Sequence, residues 1–231
     1  LSYFKTTLAG LALSIMLPAM ASAAPITVRD NAADNGASVF SAGLGRGVTI
    51  DYLETESDVG AGVFSLEYGS DADGWVEFLT FCLQISERLT LPNDHERVSG
   101  DNYFADQEDR DAIGALFNNF LTTDLGLADA TSAAALQVIL WEVVEDGAAN
   151  FDLTMGDFEV VTNSVRNRAN TLWGLIVSGL DNDEFVNIAF DVFVAEGTQD
   201  LLVETPLPGA LALLMSGVAG LGFASRKKKP V

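Results

Sequence analysis

The sequence predicts an α+β fold: a mainly antiparallel β-sandwich or barrel carrying an inserted bundle of about three helices. Three observations point there. Aromatic and β-branched residues alternate with polar ones up to about residue 83. From about 106 to 180 the apolar spacing becomes helical, and over 184–204 the alternation returns.

The early strands are "GVTIDYL" (47–53), "GVFSLEY" (62–68) and "WVEFLTFCL" (75–83). Between the last two, "GSDADG" (69–74) has the composition of a hairpin turn. Its Asp71-x-Asp73-Gly74 matches the start of a calcium loop, but the later ligands of that motif are missing, so the turn is the reading taken. Residues 92–106 are polar and predict an irregular exposed loop that carries His95, the one histidine of the chain. Without a second histidine or a nearby cysteine, His95 predicts neither a zinc site nor a triad.

The helices come next. "DQEDRDAIGALFNNFL" sets Ile113, Leu116, Phe117 and Phe120 at helical spacing, with Asp106 as a cap. "TSAAALQVILWEVVEDG" is a second helix, capped by Asp129 or Thr131 and ended by Gly147. "FEVVTNSVRNRANTLWGLIVSGL" is a third, with Val161, Val165, Leu172, Ile176 and Leu180 on its apolar side. A strand pair closes the domain: "EFVNIAFDVFVAE" (184–196) and "QDLLVE" (199–204).

Charge narrows the function. The chain has 231 residues, with 12 Lys+Arg against 33 Asp+Glu. Nucleic acid is not expected as a partner, because phosphate binding needs a basic surface. The ends read as processing signals rather than fold. Lys5 precedes the apolar run "LAGLALSIMLPAM", and Ala21-Ser22-Ala23 has the small-x-small form of a cleavage site. Residues 1–23 are therefore expected to be a secretory signal peptide. At the other end, Pro206-Leu207-Pro208 leads into an apolar stretch and then the basic cluster Arg226, Lys227, Lys228 and Lys229. As a helix the apolar stretch would reach about 27 Å, marginal for a bilayer core.

That order resembles the PEP-CTERM class of sorting tails, in its Pro-Leu-Pro variant. The resemblance implies handling by an exosortase-type transpeptidase in the inner membrane of a Gram-negative bacterium. It also implies transient anchoring there and delivery to the cell surface or extracellular matrix. Residues 24–204 are then the extracellular domain and 205–231 the sorting signal. Without the two ends the chain keeps 7 basic residues, all arginine, against all 33 acids, and it holds no lysine.

The chemistry centres on two residues. Cys82 is the only cysteine, so an internal disulfide is impossible. Gln137 sits in the middle of a helix that is apolar nearly all round, and burying an unpaired amide costs roughly 2–7 kcal/mol. A hydrogen bond to a strand backbone group would satisfy it. So would Cys82, whose thiol can attack the carboxamide, expel ammonia and leave an internal thioester that must be kept from water.

Phe81-Cys82-Leu83, followed by "LQVILWE" on a helix, resembles the Cys-Gln thioester-forming (TQXA-like) domains of bacterial surface proteins. That likeness implies a Cys82–Gln137 bond, covered by Trp141 one turn on, and attachment to an amine on a partner molecule. Leu136 and Ile139 stand where the family often has Thr and Ala, and Gln84 where it often has an acid. The absence of lysine fits a domain that must not spend an electrophile on its own amines. A drift of composition toward arginine and acids explains it equally.

Two functions follow. One is an adhesin-like surface protein that links covalently to an amine through Cys82 and Gln137. The other is a structural component of an extracellular polysaccharide or biofilm matrix, with an inert cysteine and glutamine. An enzyme is not expected, since no Gly-x-Ser-x-Gly, paired histidines or metal-ligand cluster appears. No cofactor or metal is expected either.

Overall fold

The computed structural model describes residues 25–31, 39–120, 127–182, 184 and 189–204. The expected signal peptide, with Ala21 and Ala23, lies outside them. So does the expected sorting tail, with Pro206, Leu207, Pro208 and the basic residues Arg226 to Lys229.

The fold is α+β. Its strands are β1 (Ile26–Asp30), β2 (Phe40–Tyr52), β3 (Thr55–Ser70), β4 (Gly74–Thr80) and β5 (Asn93–Ser99), then β6 (Phe158–Val160), β7 (Phe190–Val194) and β8 (Leu201–Glu204). They form one antiparallel sheet in the order β6-β2-β3-β1-β5-β7-β8, with β4 on the free side of β3. Between β5 and β7 come the short α1 (Gly100–Tyr103), then α2 (Gln107–Phe120), α3 (Ala130–Glu145) and α4 (Asn163–Asp181).

The sheet is not a closed barrel, so that part of the expectation is corrected. β4 and β8 do not pair as strands: the chain just after β4 meets β8 in an isolated bridge, Cys82 with Leu201, flanked by two backbone hydrogen bonds, and the Thr80 hydroxyl donates to the Leu202 carbonyl. Cys82 therefore lies just beyond β4 rather than inside a strand that runs to 83.

The β3–β4 hairpin forms where its turn residues predict. Asp71 and Asp73 are used within it: Asp73 accepts from the Ser70 hydroxyl, and Asp71 accepts from the Trp75 indole. β3 crosses β2 at a bulge made possible by Gly62. A Cβ there would strike the Leu44 carbonyl oxygen, and the φ of +154° is one that side-chain-bearing residues rarely adopt.

α3 is the central helix and packs against β2, β3, β6, α2 and α4. Asp129 caps it by accepting from the Ser132 N–H. Ser132 through Val143 are all buried, as expected for a helix apolar on every side. Fully burying side chains such as Leu136, Ile139 and Leu140 stabilises the fold by about 1.5–3 kcal/mol each.

Three expectations fail here. Residues 93–99 are a strand, β5, and His95 is 1% exposed rather than on an open loop. The pairing of β5 with β1 and β7 turns that one side chain inward. Residues 158–160 extend the sheet as β6 instead of starting a helix, and Val161 is exposed. Of the strand expected over 184–196, the described residues form Phe190–Val194, with 184, 189, 195 and 196 outside it, while 185–188 lie outside the described residues.

Candidate functional site

Cys82 and Gln137, 55 residues apart, meet in the core. The β4–β8 bridge fixes Cys82, and the central turn of α3 carries Gln137. The thiol donates to Gln137 Oε1 at 3.4 Å, and the Cys82 N–H donates to the same oxygen at 3.3 Å. Gln137 Nε2 donates to the Cys82 carbonyl at 2.8 Å. Cys82 is 2% exposed and Gln137 0%. The amide thus makes the backbone bonds of an ordinary core glutamine and touches the sulfur as well.

Phe81 and Leu83 are fully buried beside Cys82. Trp141 lies one turn after Gln137, 2% exposed, packed edge-on against Phe158. Its indole N–H has no hydrogen-bond partner among the described residues. Burial pushes the Cys82 thiol up to about 12. Its own backbone N–H, then Trp141 and Gln199, oppose that shift by favouring the thiolate.

No family model, curated protein or solved structure matches this chain. The site must therefore be read from its own chemistry. A carbonyl that already accepts from a backbone N–H is polarised, and an oxyanion formed there would keep that donor. Sulfur and carboxamide are held in contact without water between them, as an acyl transfer between them requires. The cost is the neutral thiol that burial enforces.

Sequence reasoning missed the polar groups around the pair. Gln84 and Asp200 clasp each other: Gln84 Nε2 donates to Asp200 Oδ2 at 2.7 Å, and the Asp200 N–H donates to Gln84 Oε1 at 2.8 Å. Tyr103 donates to the same Asp200 oxygen at 2.7 Å, and burial, then Asp200, raises the Tyr103 pKa. The neutral Gln84 is therefore paired with a carboxylate from the far end of the chain. His95 is buried, with Nε2 unpaired among the described residues, and burial lowers its pKa. Glu142, the acid after Trp141, is also buried. Its Oε1 accepts from the Asp152 N–H at 2.7 Å, and burial lifts its pKa to about 7. The only local signal for Gln199 and Asp200 was a polar pair placed just before an apolar strand.

Among the described residues, no group of three or more His, Cys, Asp or Glu is arranged to hold a metal ion. None of the described helices is long and apolar enough to cross a membrane.

Proposed function

We propose that this is an exported surface or matrix protein whose Cys82 and Gln137 form an internal thioester that captures an amine. The contact between Cys82 Sγ and the Gln137 carboxamide carries the reading. Deprotonated Cys82 Sγ adds to Gln137 Cδ, and the Cys82 N–H holds the oxyanion. The C–N bond breaks, and the amide nitrogen leaves as ammonia with the thiol proton. A partner's primary amine then attacks the same carbon. An amide to the partner forms, and Cys82 returns to a thiol. The expected route is secretion, sorting by an exosortase-type transpeptidase, and display on an amine-bearing surface or matrix.

The competing reading is a structural matrix protein with no such chemistry. The burial that lifts the thiol to about 12 favours it, because a neutral thiol is a poor nucleophile. Intact mass decides between them. A mass short by one ammonia, and regained as a methylamine adduct, supports the thioester. Cys82→Ala and Gln137→Ala should each abolish the deficit. A full calculated mass refutes it.

A further inference from the structure

The Cys82–Gln137 pair is closed off from solvent, and the segment that leaves Cys82 is held in a definite way. After Leu83 the chain rises from core to surface within a few residues: Gln84 and Ile85 are half-buried, and Ser86, Glu87 and Arg88 are exposed. The turn between β7 and β8 holds this rising segment down. Gln199 Nε2 donates to the carbonyls of both Gln84, at 3.0 Å, and Glu87, at 2.8 Å. Thr198 accepts from the Thr90 N–H at 2.8 Å. Asp200 clasps Gln84, and its Oδ1 accepts from the Ala195 N–H at 3.0 Å, tying the turn to its own strand. Gln199 is 9% exposed, and it is among the groups that favour the Cys82 thiolate.

One side chain thus fastens two carbonyls of the segment that leaves Cys82. Both of its amide protons are spent on carbonyls of that segment. We infer that Gln199 is the bolt of an access gate, formed by residues 84–88 and the 195–200 turn, through which an amine reaches the Cys82–Gln137 site. The inference rests on the thioester reading for its purpose, but the gate itself is a statement about access to Cys82. While the bolt holds, water and small amines are kept from the acyl carbon. When a partner displaces the Gln199 bonds, the 84–88 segment lifts and the site opens. The segment is attached by side-chain hydrogen bonds and by one apolar side chain, Ile85, packed against the core, while Ser86, Glu87 and Arg88 are exposed, so it should open locally at less cost than the core strands. A partner that offers its own carbonyls or carboxylates to the Gln199 amide would open it most readily.

The test measures two rates on the intact protein. Methylamine adduct formation is followed by mass, and alkylation of Cys82 by iodoacetamide is followed on protein whose bond has first been opened with hydroxylamine. Gln199→Ala should raise both at least about tenfold, equivalent to about 1.4 kcal/mol of barrier. Gln199→Asn, one methylene shorter and unable to span both carbonyls, should raise them in the same direction. It keeps the test valid if Gln199→Ala does not fold. Unchanged rates in both variants overturn the gate. A Gln199 variant that folds but forms no bond also overturns it, in favour of a role in bond formation. If the wild-type mass shows no ammonia deficit, the thioester reading fails. The gate is then judged on alkylation alone, where a tenfold rise upholds it and an unchanged rate overturns it.

Discussion

The hydrogen bonds between Gln137 and the Cys82 backbone can be tested apart from any thioester. Cys82→Ala removes the sulfur but keeps the backbone N–H and C=O that Gln137 engages. In that background no bond can form, and Gln137→Leu then removes the amide while keeping its approximate volume. Cys82 N–H and C=O are left without their partner in a fully buried place. Each orphaned buried group costs about 1–3 kcal/mol, so the gross penalty is about 2–6 kcal/mol. Leucine recovers part of this, since it needs no partner of its own, which leaves about 2–4 kcal/mol. At about 2–4 °C per kcal/mol for a domain of this size, Tm should fall by about 4–16 °C. Thermal unfolding followed by circular dichroism measures it, with a urea midpoint as the second readout. A change under about 1 °C would refute the reasoning, because the Cys82 backbone would then be satisfied elsewhere and the contact in the core would be incidental.

Three further outcomes follow from the same packing. Glu142 has a folded pKa of about 7, above its ordinary 4.5, because of burial first and then Asp146, Asp152 and Glu159. The folded state therefore binds more protons between those values, and stability should fall as pH rises from about 4.5 to 7. Glu142→Gln should flatten much of that slope in urea titrations run at several pH values, and a slope left unaltered would refute the assignment. Trp141→Phe keeps an aromatic ring but leaves a gap where the rest of a fully buried indole was, which costs about 1–2 kcal/mol, so Tm should fall by about 2–8 °C. The ammonia loss after refolding, timed by mass, should slow, because the thiolate loses one of its favourable neighbours. At the β2–β3 turn, Leu53 and Glu54 hold φ of 52° and 61°. Leu53→Asn with Glu54→Gly supplies residues suited to that geometry and should stabilise the protein by about 0.5–1.5 kcal/mol; a fall in Tm would mean the exposed Leu53 makes contacts that matter more.

What the sequence makes legible depends on how local the cause is. The β3–β4 turn is legible because Asp71, Asp73 and Gly74 act within a few residues of one another. α3 is legible because its cap, Asp129, and its mostly apolar body are contiguous. β5 is not, because "NDHERVS" is polar except for Val98 and becomes a strand only through its neighbours β1 and β7. His95 is buried for that reason and not for any quality of its flanking residues. β6 is hidden because three residues before a helix carry almost no periodicity. At the site, the types of Cys82 and Gln137 suggest a pairing, since one is an unpaired thiol and the other an amide in an apolar helix. The cover was illegible, because Gln199 and Asp200 act on Gln84 across more than 110 positions, and no local pattern records that.

The absence of lysine can be turned into a test with an internal control. Among residues 25–204 the only basic side chains besides His95 are arginines, which stay protonated and do not act as amines toward an acyl carbon. Lysine, with an ordinary pKa near 10.4, supplies a small neutral fraction that does. Ser86 is exposed on the gate segment, between Gln84 and the Glu87 carbonyl that Gln199 holds. If the inferred gate opens, a lysine placed there is brought toward Gln137 Cδ. Asp71 is exposed at the β3–β4 turn, eleven residues from Cys82 along an extended strand, a separation on the order of 30 Å and far beyond a lysine's reach. Ser86→Lys should therefore lose methylamine-reactive protein on storage at alkaline pH and gain an internal cross-link between residues 86 and 137, detectable by peptide mass. Asp71→Lys should not. Equal loss in both would point to hydrolysis or reaction between molecules, and no loss in either would mean that amines do not reach the bond, leaving drift of composition as the sufficient reason for a lysine-free domain.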